Sequence, residues 1–395
     1  MNIIMIPFHD YKKWINEGFR TRDAHLCEHF EKDDRVEKVL VINRPVSLAE
    51  RLLKRNNWKT SGGEVVYCKD NVQISKMSSK VWCIDIFVPD FLKVAIQKKK
   101  WWFTSFNYKK VADAINNAVD ILDMKDNILL LQNPMAIGAV KNVKTNKFAF
   151  DAIDNWMYHP QMKDKELIKA NYQYVEDNAD VIFTVSEALA DSFSSHPNVK
   201  WIPNGVDKQF FSAAVKEYKK TNKITIGYVG KIQERVDFDL VEKCLVEFED
   251  VKFLFIGPAY SQGKRISELE KKYKNIEFTG DIHYNNLPDH LKDVHIAIIP
   301  HKVDEFTNSM NPLKLYEYLA AGKPVVSTKV AGSDDISDYV FISENYDEFT
   351  AKLKEVIARL NNGELDSQKI ADSIPFECTW QHRSKMVLDS LEQNV

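Results

Sequence analysis

Cysteine is scarce in this chain. Its five cysteines (Cys27, Cys68, Cys83, Cys244 and Cys378) are odd in number and widely scattered over 395 residues. They make neither a Cys-x-x-Cys pair nor a disulfide framework, and a reducing cytoplasm fits that usage best. Long apolar runs are lacking as well. No stretch approaches the ~18–20 apolar residues of a membrane-spanning helix. The first fourteen residues carry only a short apolar run with no basic segment before it, which reads as a first strand rather than a signal peptide. Charge of one sign is also missing: 54 Lys and Arg against 57 Asp and Glu leave a net of −3. A dedicated nucleic-acid binder would show a basic domain. Neither an internal repeat nor a low-complexity segment is present. What remains, 44% hydrophobic and 28% charged, is the composition of a soluble globular protein. At roughly 100–200 residues per domain the length suggests two or three domains, with two favoured.

Short, β-branched apolar runs alternate with longer stretches of helical spacing. Six lie in the first half (2–8, 38–41, 81–88, 127–131, 147–153 and 180–185) and six in the second (224–229, 252–256, 276–279, 295–300, 324–329 and 339–343). Near-continuous apolar strands between helices predict parallel sheets covered on both faces. Two such series predict an α/β protein of two doubly wound, Rossmann-like domains facing a cleft, with ligands at the carboxyl ends of the strands. The break Pro203-Asn204-Gly205 places the boundary, giving domains over 1–206 and 207–375. A last helix within 376–395 either caps the second domain or packs back on the first.

The most informative stretch runs from Asn308 to Val326. Pro312 suits the first turn of a helix, Asn311 reads as its N-cap, and Gly322 ends it before a buried strand. The start of this helix points into the cleft, where free N–H groups and the helix dipole favour an anion. Lys314 adds a charge suited to a diphosphate. Glu317, one turn inward, can accept two hydrogen bonds from the vicinal hydroxyls of a ribose. An ordinary capped helix with a solvated Lys and Glu would look the same. Upstream, residues 226–237 read as strand, glycine turn and helix. Gly230 lets the backbone approach a ligand, and Lys231 and Arg235 supply phosphate-binding charge. Neither GxxxxGK[ST] nor GxGxxG is present, so a P-loop enzyme and a dinucleotide dehydrogenase lose support.

The collinear order of Ile202-Pro203-Asn204-Gly205-Val206-Asp207, Gly227-Tyr228-Val229-Gly230, Phe255-Ile256-Gly257, Phe278-Thr279-Gly280 and Pro312 through Val326 resembles the GT-B glycosyltransferases. Within them it is most similar to the family 4 (group 1) enzymes that build bacterial cell-surface polysaccharides such as teichuronic acid. The resemblance covers about 180–328. It implies that the second domain holds a nucleoside diphosphate sugar, UDP-linked in the simplest case, with Glu317 on the ribose. Gly230, Lys231, Arg235 and the helix start at Asn311, Pro312, Leu313 and Lys314 would hold the diphosphate, and Gly280, Asp281 and Ile282 would lie near the base. It further implies no bound metal and no cofactor beyond the donor, in keeping with a sequence read as offering no HExxH, CxxC or DxD. One departure stands out. Many family 4 enzymes carry a second glutamate eight residues before the ribose-binding one, and here that position is Ser309. Sugar recognition and the retaining outcome therefore do not carry over, and an inverting mechanism would need a carboxylate base in the first domain.

The segment Phe150 to His159 is the place to look for that base. It combines Asp151, Asp154, Trp156 and His159 at a strand end. An aspartate there can deprotonate an acceptor hydroxyl, Asp154 better than Asp151 because it lies further out, and His159 can donate to either substrate. The plainer reading has Asp151 capping and Trp156 filling core. Arg20 and Arg22, after the first strand, suit an anionic acceptor or the donor phosphate, or else a salt-bridged helix face. From Arg51 to Lys110 thirteen Lys and Arg face four Asp and Glu. There Lys98, Lys99 and Lys100 adjoin Trp101 and Trp102, a pattern that suits an anionic membrane surface or a basic helix with core aromatics. The expectation is a glycosyltransferase moving a sugar from a nucleotide donor to a growing surface glycan or lipid-linked acceptor, cytoplasmic and peripheral on the inner face of the membrane, with no nucleic-acid partner. The alternatives are a GT-B enzyme resembling UDP-N-acetylglucosamine epimerases and a nonenzymatic subunit that binds nucleotide sugar or glycan.

Overall fold

The computed structural model describes residues 1–54, 58–97, 101–160, 162–218, 223–330, 332 and 336–393. The first sheet holds β1 (Asn2–Ile6), β2 (Lys38–Ile42), β3 (Val46–Ser47), β4 (Glu64–Lys69), β5 (Val72–Lys76), β6 (Val81–Val88), β7 (Asn127–Leu131), β8 (Lys147–Ala152), β9 (Val181–Thr184) and β10 (Val199–Trp201). Its order is β10-β9-β8-β7-β1-β2-β6-β5-β4, with β3 beside β6. The second sheet holds β11 (Thr225–Val229), β12 (Lys252–Ile256), β13 (Ile276–Gly280), β14 (Ile296–Ile299), β15 (Val325–Thr328) and β16 (Val340–Ser343), in the order β13-β12-β11-β14-β15-β16. All twelve runs read from the sequence are strands, and the fold is α/β with two Rossmann-like sheets.

Burial explains why these runs pair in parallel. Every residue of β1 and β7 is buried, and period-two alternation sends their side chains into two separate apolar layers. Ile4, Leu40, Leu129 and Phe150 join the layer on one face, Ile3, Val39, Leu130 and Phe183 the layer on the other. In each sheet the strand order reverses beside the first strand, at β1/β7 and at β11/β14. Open α/β sheets bind ligands outside the carboxyl ends of the strands at such a reversal.

The sequence reading missed β3, β4, β5 and β10. The strands β4 and β5 form an antiparallel hairpin at the sheet edge, with Lys69 opposite Val72. Its two turn residues, Asp70 and Asn71, both have positive φ (49° and 64°), which matches a tight two-residue hairpin turn. Edge position leaves β4 mostly exposed although it carries the short apolar run Val65-Val66-Tyr67-Cys68 between Glu64 and Lys69, which the sequence reading passed over.

The chain crosses between the two sheets twice. The backbone N–H of Val206 donates to Cys378 (3.0 Å) and that of Trp380 to Val206 (3.2 Å). The last helix, Trp380–Glu392, then lies against the helix Arg22–Lys32 on the first sheet. Trp380 stacks on His25 at 5.0 Å, Arg35 pairs with Asp389 (2.6 Å), and Lys147 donates to the Leu391 carbonyl (2.9 Å).

Candidate active-site cleft

The loops that follow β1, β8, β11, β12, β13 and β14 meet in one cleft of about 1210 Å³, part of it open to solvent. Gly230, Lys231, Arg235, Asp281, Ile282, Asn311, Pro312, Leu313, Lys314, Glu317 and Asp154 all contribute to its walls. Gly280, Asp151 and His159 do not.

On the second-domain side the backbone comes first. Gly257 has φ 144°, and a Cβ there would lie 2.1 Å from the Gly230 carbonyl oxygen. Gly230 has φ 130°, and a Cβ on it would sit 3.0 Å from Lys314 Nζ. Only glycine satisfies both demands, and the pair brings the floor of the cleft up to Lys314. The ammonium of Lys314 donates to the Tyr228 hydroxyl (2.8 Å) and stands 4.2 Å over the Tyr228 ring. Among the described residues no carboxylate lies within 4 Å of it. Burial, with repulsion from Arg235, holds its pKa well below the ordinary lysine value. Lys231 is pushed down to about 8, first by burial and then by Lys13, Arg20 and Arg235. Desolvated cations of this kind gain most from an incoming polyanion.

Glu317, 7% exposed, accepts from the Tyr284 hydroxyl at 2.8 Å, and the Tyr284 ring stacks on Phe210. Burial raises the Glu317 pKa despite that bond and the nearby positive charge. The remaining acceptor capacity of the carboxylate faces the cleft. The helix carrying it, Leu313–Ala320, has Pro312 at its N-cap and no side-chain cap, so the N–H groups of its first turn are left for a ligand or water.

Two expectations about these loops are corrected. Asn311 is not the helix cap. Its Oδ1 accepts the Asn204 backbone N–H (2.8 Å) and its Nδ2 donates to the Tyr316 hydroxyl (3.0 Å), which ties the interdomain connection to the helix start. Nor does a helix follow Gly230 directly. Residues 231–237 run as a loop, and the helix Phe238–Glu247 starts only where Asp237 caps it. That places Lys231 and Arg235 on the extended loop. The reading that no DxD is present is corrected as well: Asp237 and Asp239 spell one, with Asp237 engaged as the helix cap and by the Tyr346 hydroxyl (2.6 Å).

On the first-domain side the three candidates separate. Asp151 is 1% exposed and held on both oxygens, by Arg22 (3.0 Å) and by Gln132 (2.8 Å). It is a structural partner for Arg22 and cannot reach a substrate proton. Asp154 lines the cleft, and burial pushes its pKa up to about 6, opposed by Arg235 and Lys231. His159 stacks on the buried Trp156 (5.2 Å) with its edge toward Phe306. Burial, then Arg235, Lys165 and Lys231, pushes it down to about 4, so its ring is neutral at physiological pH.

The loop after β1 supplies His9 and Asp23, which the sequence reading did not single out, beside Arg20, which it did. His9 lines the cleft, its Nδ1 3.7 Å from Asp23 Oδ2. Asp23 is fully buried and accepts from the Thr21 hydroxyl and the His9 N–H. The signal was positional: His9 lies three residues beyond the end of β1, the strand at the point of reversal. Arg20 pairs with Glu17 (3.0 Å) and reaches across to Asp281 (2.9 Å), and its Nη2 is buried with no hydrogen-bond partner among the described residues. Beside it Gly18 packs so closely on His283 that a Cβ would lie 2.7 Å away. Ser309 is buried, its hydroxyl donating to the Glu305 and Phe306 carbonyls (3.0 and 2.9 Å), and offers the cleft nothing.

Of the basic-aromatic cluster, the structure describes the side chain of Trp101. Trp101 is 2% exposed and belongs to the core, which corrects the expectation of an interfacial tryptophan. Lys98, Lys99 and Lys100 and the side chain of Trp102 lie outside the described residues. No described helix is long and apolar enough to cross a membrane.

Residues 223–359 match the family model described as glycosyl transferases group 1. TuaH of Bacillus subtilis (strain 168), named for a glycosyltransferase role in teichuronic acid biosynthesis, is 24% identical over 230 residues, or 55% of this chain and 57% of that protein. The match thus spans little more than half of that relative. Three solved structures align along nearly all of both chains. They are sucrose-phosphate synthase of Thermosynechococcus elongatus (TM-score 0.71, 12% identity, 100% of this chain and 98% of that one), the E. coli trehalose-6-phosphate protein bound to UDP-2-fluoro glucose (0.68, 12%, 100% of each), and HepE of Anabaena with UDP and glucose (0.63, 14%, 99% of each). With two Rossmann-like sheets around one cleft, the chain has the fold of these structures, GT-B, and its residues 223–359 match the group 1 glycosyltransferase domain.

Proposed function

We propose that this glycosyltransferase takes its sugar from a UDP-linked donor and passes it to a hydroxyl of a cell-surface glycan, free or carried on lipid. The observation that carries the reading is Lys314, a buried ammonium with no carboxylate within 4 Å among the described residues, standing beside the uncapped start of helix Leu313–Ala320. A diphosphate supplies the missing negative charge. Lys231 and Arg235 complete the cradle, Glu317 takes the ribose hydroxyls, and Asp281 and Ile282 border the base. These cations also stabilise the diphosphate as it leaves, so the reading expects turnover without a divalent metal. UDP as the nucleotide is supported by the ligands in the E. coli and Anabaena structures, and the glycan acceptor by the name of TuaH. Asp154 is placed to accept the proton of the attacking hydroxyl.

The test is thermal unfolding with UDP, GDP, dTDP and CMP, each with magnesium and with EDTA. A ligand at about 100 times its dissociation constant adds roughly 2.7 kcal/mol. A shift with UDP that is unaffected by EDTA supports the reading. A shift with GDP or dTDP instead replaces the donor, and no shift with any nucleotide defeats it.

A further inference from the structure

The helix Leu313–Ala320 carries Lys314 and Glu317, yet its own sequence does not fix its start. Pro312 at the N-cap offers no side chain to the first-turn N–H groups. The ties on the approach to this helix come instead from the first domain. Ser186 Oγ donates to the Ser309 carbonyl (2.8 Å). Asn204 Nδ2 donates to the Asn311 carbonyl (2.6 Å), and the Asn204 N–H donates to Asn311 Oδ1 (2.8 Å). Met310, between the two clamped carbonyls, lines the cleft. Leu313, the first residue of the helix, packs on the apolar layer of the first sheet that contains Phe183, Ile202 and Trp380.

Both clamps are themselves held. Ser186 is buried and caps the short helix Glu187–Ala190, its hydroxyl accepting the Leu189 N–H (3.2 Å). Asn204 is buried as well. The carbonyl of Pro203 before it accepts from Arg22 (3.1 Å), whose other nitrogens hold Asp151 at the end of β8. After it, Gly205 packs against the returning chain, where a Cβ would lie 2.8 Å from the Trp380 nitrogen. A buried carbonyl left without its donor is costly, so residues 309–313 stay docked while the two domains are together.

The helix field that favours an anion falls off within the first turn, and its use therefore depends on where these residues lie. We propose that Ser186 and Asn204 are positioning residues of the donor site: first-domain groups that set the start of a second-domain helix and so make nucleotide affinity depend on contact between the domains. Asn204 acts from the wall of the cleft, Ser186 from outside it. The inference rests on the donor reading above and adds to it the residues that place the diphosphate-binding helix start.

Calorimetry with UDP and hydrogen exchange of the unliganded chain test it together, on Ser186→Ala, Ser186→Thr and Asn204→Ala. Ser186→Ala should lower UDP affinity about threefold to tenfold, the scale of one hydrogen bond. Ser186→Thr, which keeps the hydroxyl and the cap, should restore it. Asn204→Ala should lose at least as much as Ser186→Ala. Without nucleotide, both alanine variants should speed amide exchange across 309–317 and leave the helix Phe238–Glu247, also of the second domain, unchanged. A residue that merely supports the first domain would lower the melting temperature and move neither readout. The inference is overturned if Ser186→Ala binds UDP like the wild type, if Ser186→Thr binds it no better than Ser186→Ala, or if exchange across 309–317 does not change. Should Asn204→Ala fail to fold, the two Ser186 variants decide. Should the wild type bind no UDP, the donor reading falls, while exchange across 309–317 still decides whether the first domain holds the helix start.

Discussion

Burial at Glu317 sets function against stability within a single carboxylate. Its folded pKa is raised by burial, so folding favours the protonated form, and that contribution is lost as pH rises through the folded value. Glu317→Gln keeps the shape and removes the buried charge. It is expected to hold or raise the melting temperature at pH 8 while weakening UDP binding by about tenfold or more, the scale of a hydrogen bond to a charged group. Unchanged UDP affinity in calorimetry would remove the ribose role. Asp154 gives a second prediction with a stated pH. Its pKa is raised to about 6, so a base at this position is protonated and idle below that pH and active above it. The acid limb of kcat/KM should therefore fall near pH 6, and Asp154→Asn should abolish most activity together with that limb. A limb that survives in the variant would assign the base elsewhere, with the neutral His9 as the neighbouring candidate.

At the scale of elements, two contacts decide whether the loops stay where the cleft needs them. The Arg22–Asp151 pair joins the helix Arg22–Lys32 to the end of β8, and both side chains are buried. Breaking such a pair from one side leaves the other charge stranded, so Asp151→Ala should cost about 3–5 kcal/mol in urea unfolding. A loss below about 1 kcal/mol would show the pair to be solvated. Between β11 and β12, Gly257→Ala would drive a methyl into the Gly230 carbonyl. The variant should melt lower and bind UDP more weakly, because the loop carrying Lys231 has to move. These elements also show what the sequence could and could not reveal. Ten of the twelve strands were legible because burial on both faces writes a near-continuous apolar run, while β13 and β16, only partly buried, were legible as shorter β-branched and aromatic runs. The hairpin β4–β5 was not, since its apolar run Val65–Cys68 is short and flanked by charge, and its turn is Asp-Asn without glycine. Lys314 and Glu317 were legible through helix-start chemistry. His9, Asp23 and the Arg20–Asp281 bridge were not, because each depends on which loops the strand order brings together.

Across the whole molecule, the last helix belongs physically to the first sheet although it follows the second in the chain. Trp380, Val387, Leu388 and Leu391 are buried there among Ile3, Leu26, Phe30 and Phe183. At about 1.5–3 kcal/mol per buried large apolar side chain, a chain ending before Thr379 should lose several kcal/mol from the first domain. Its melting curve should split, with the first-domain transition shifted down; an unchanged single transition would contradict that assignment.

The same helix has a consequence during synthesis. Domains emerging from a ribosome ordinarily fold in order, the first completing its core before the next appears. Here β10 ends at Trp201 and the segment that closes the groove beside it begins at Trp380. At roughly 5–20 residues per second the gap lasts about 10–40 s. Throughout that interval the side chains that Trp380, Val387, Leu388 and Leu391 later cover, Ile3, Leu26, Phe30 and Phe183 among them, lack that cover.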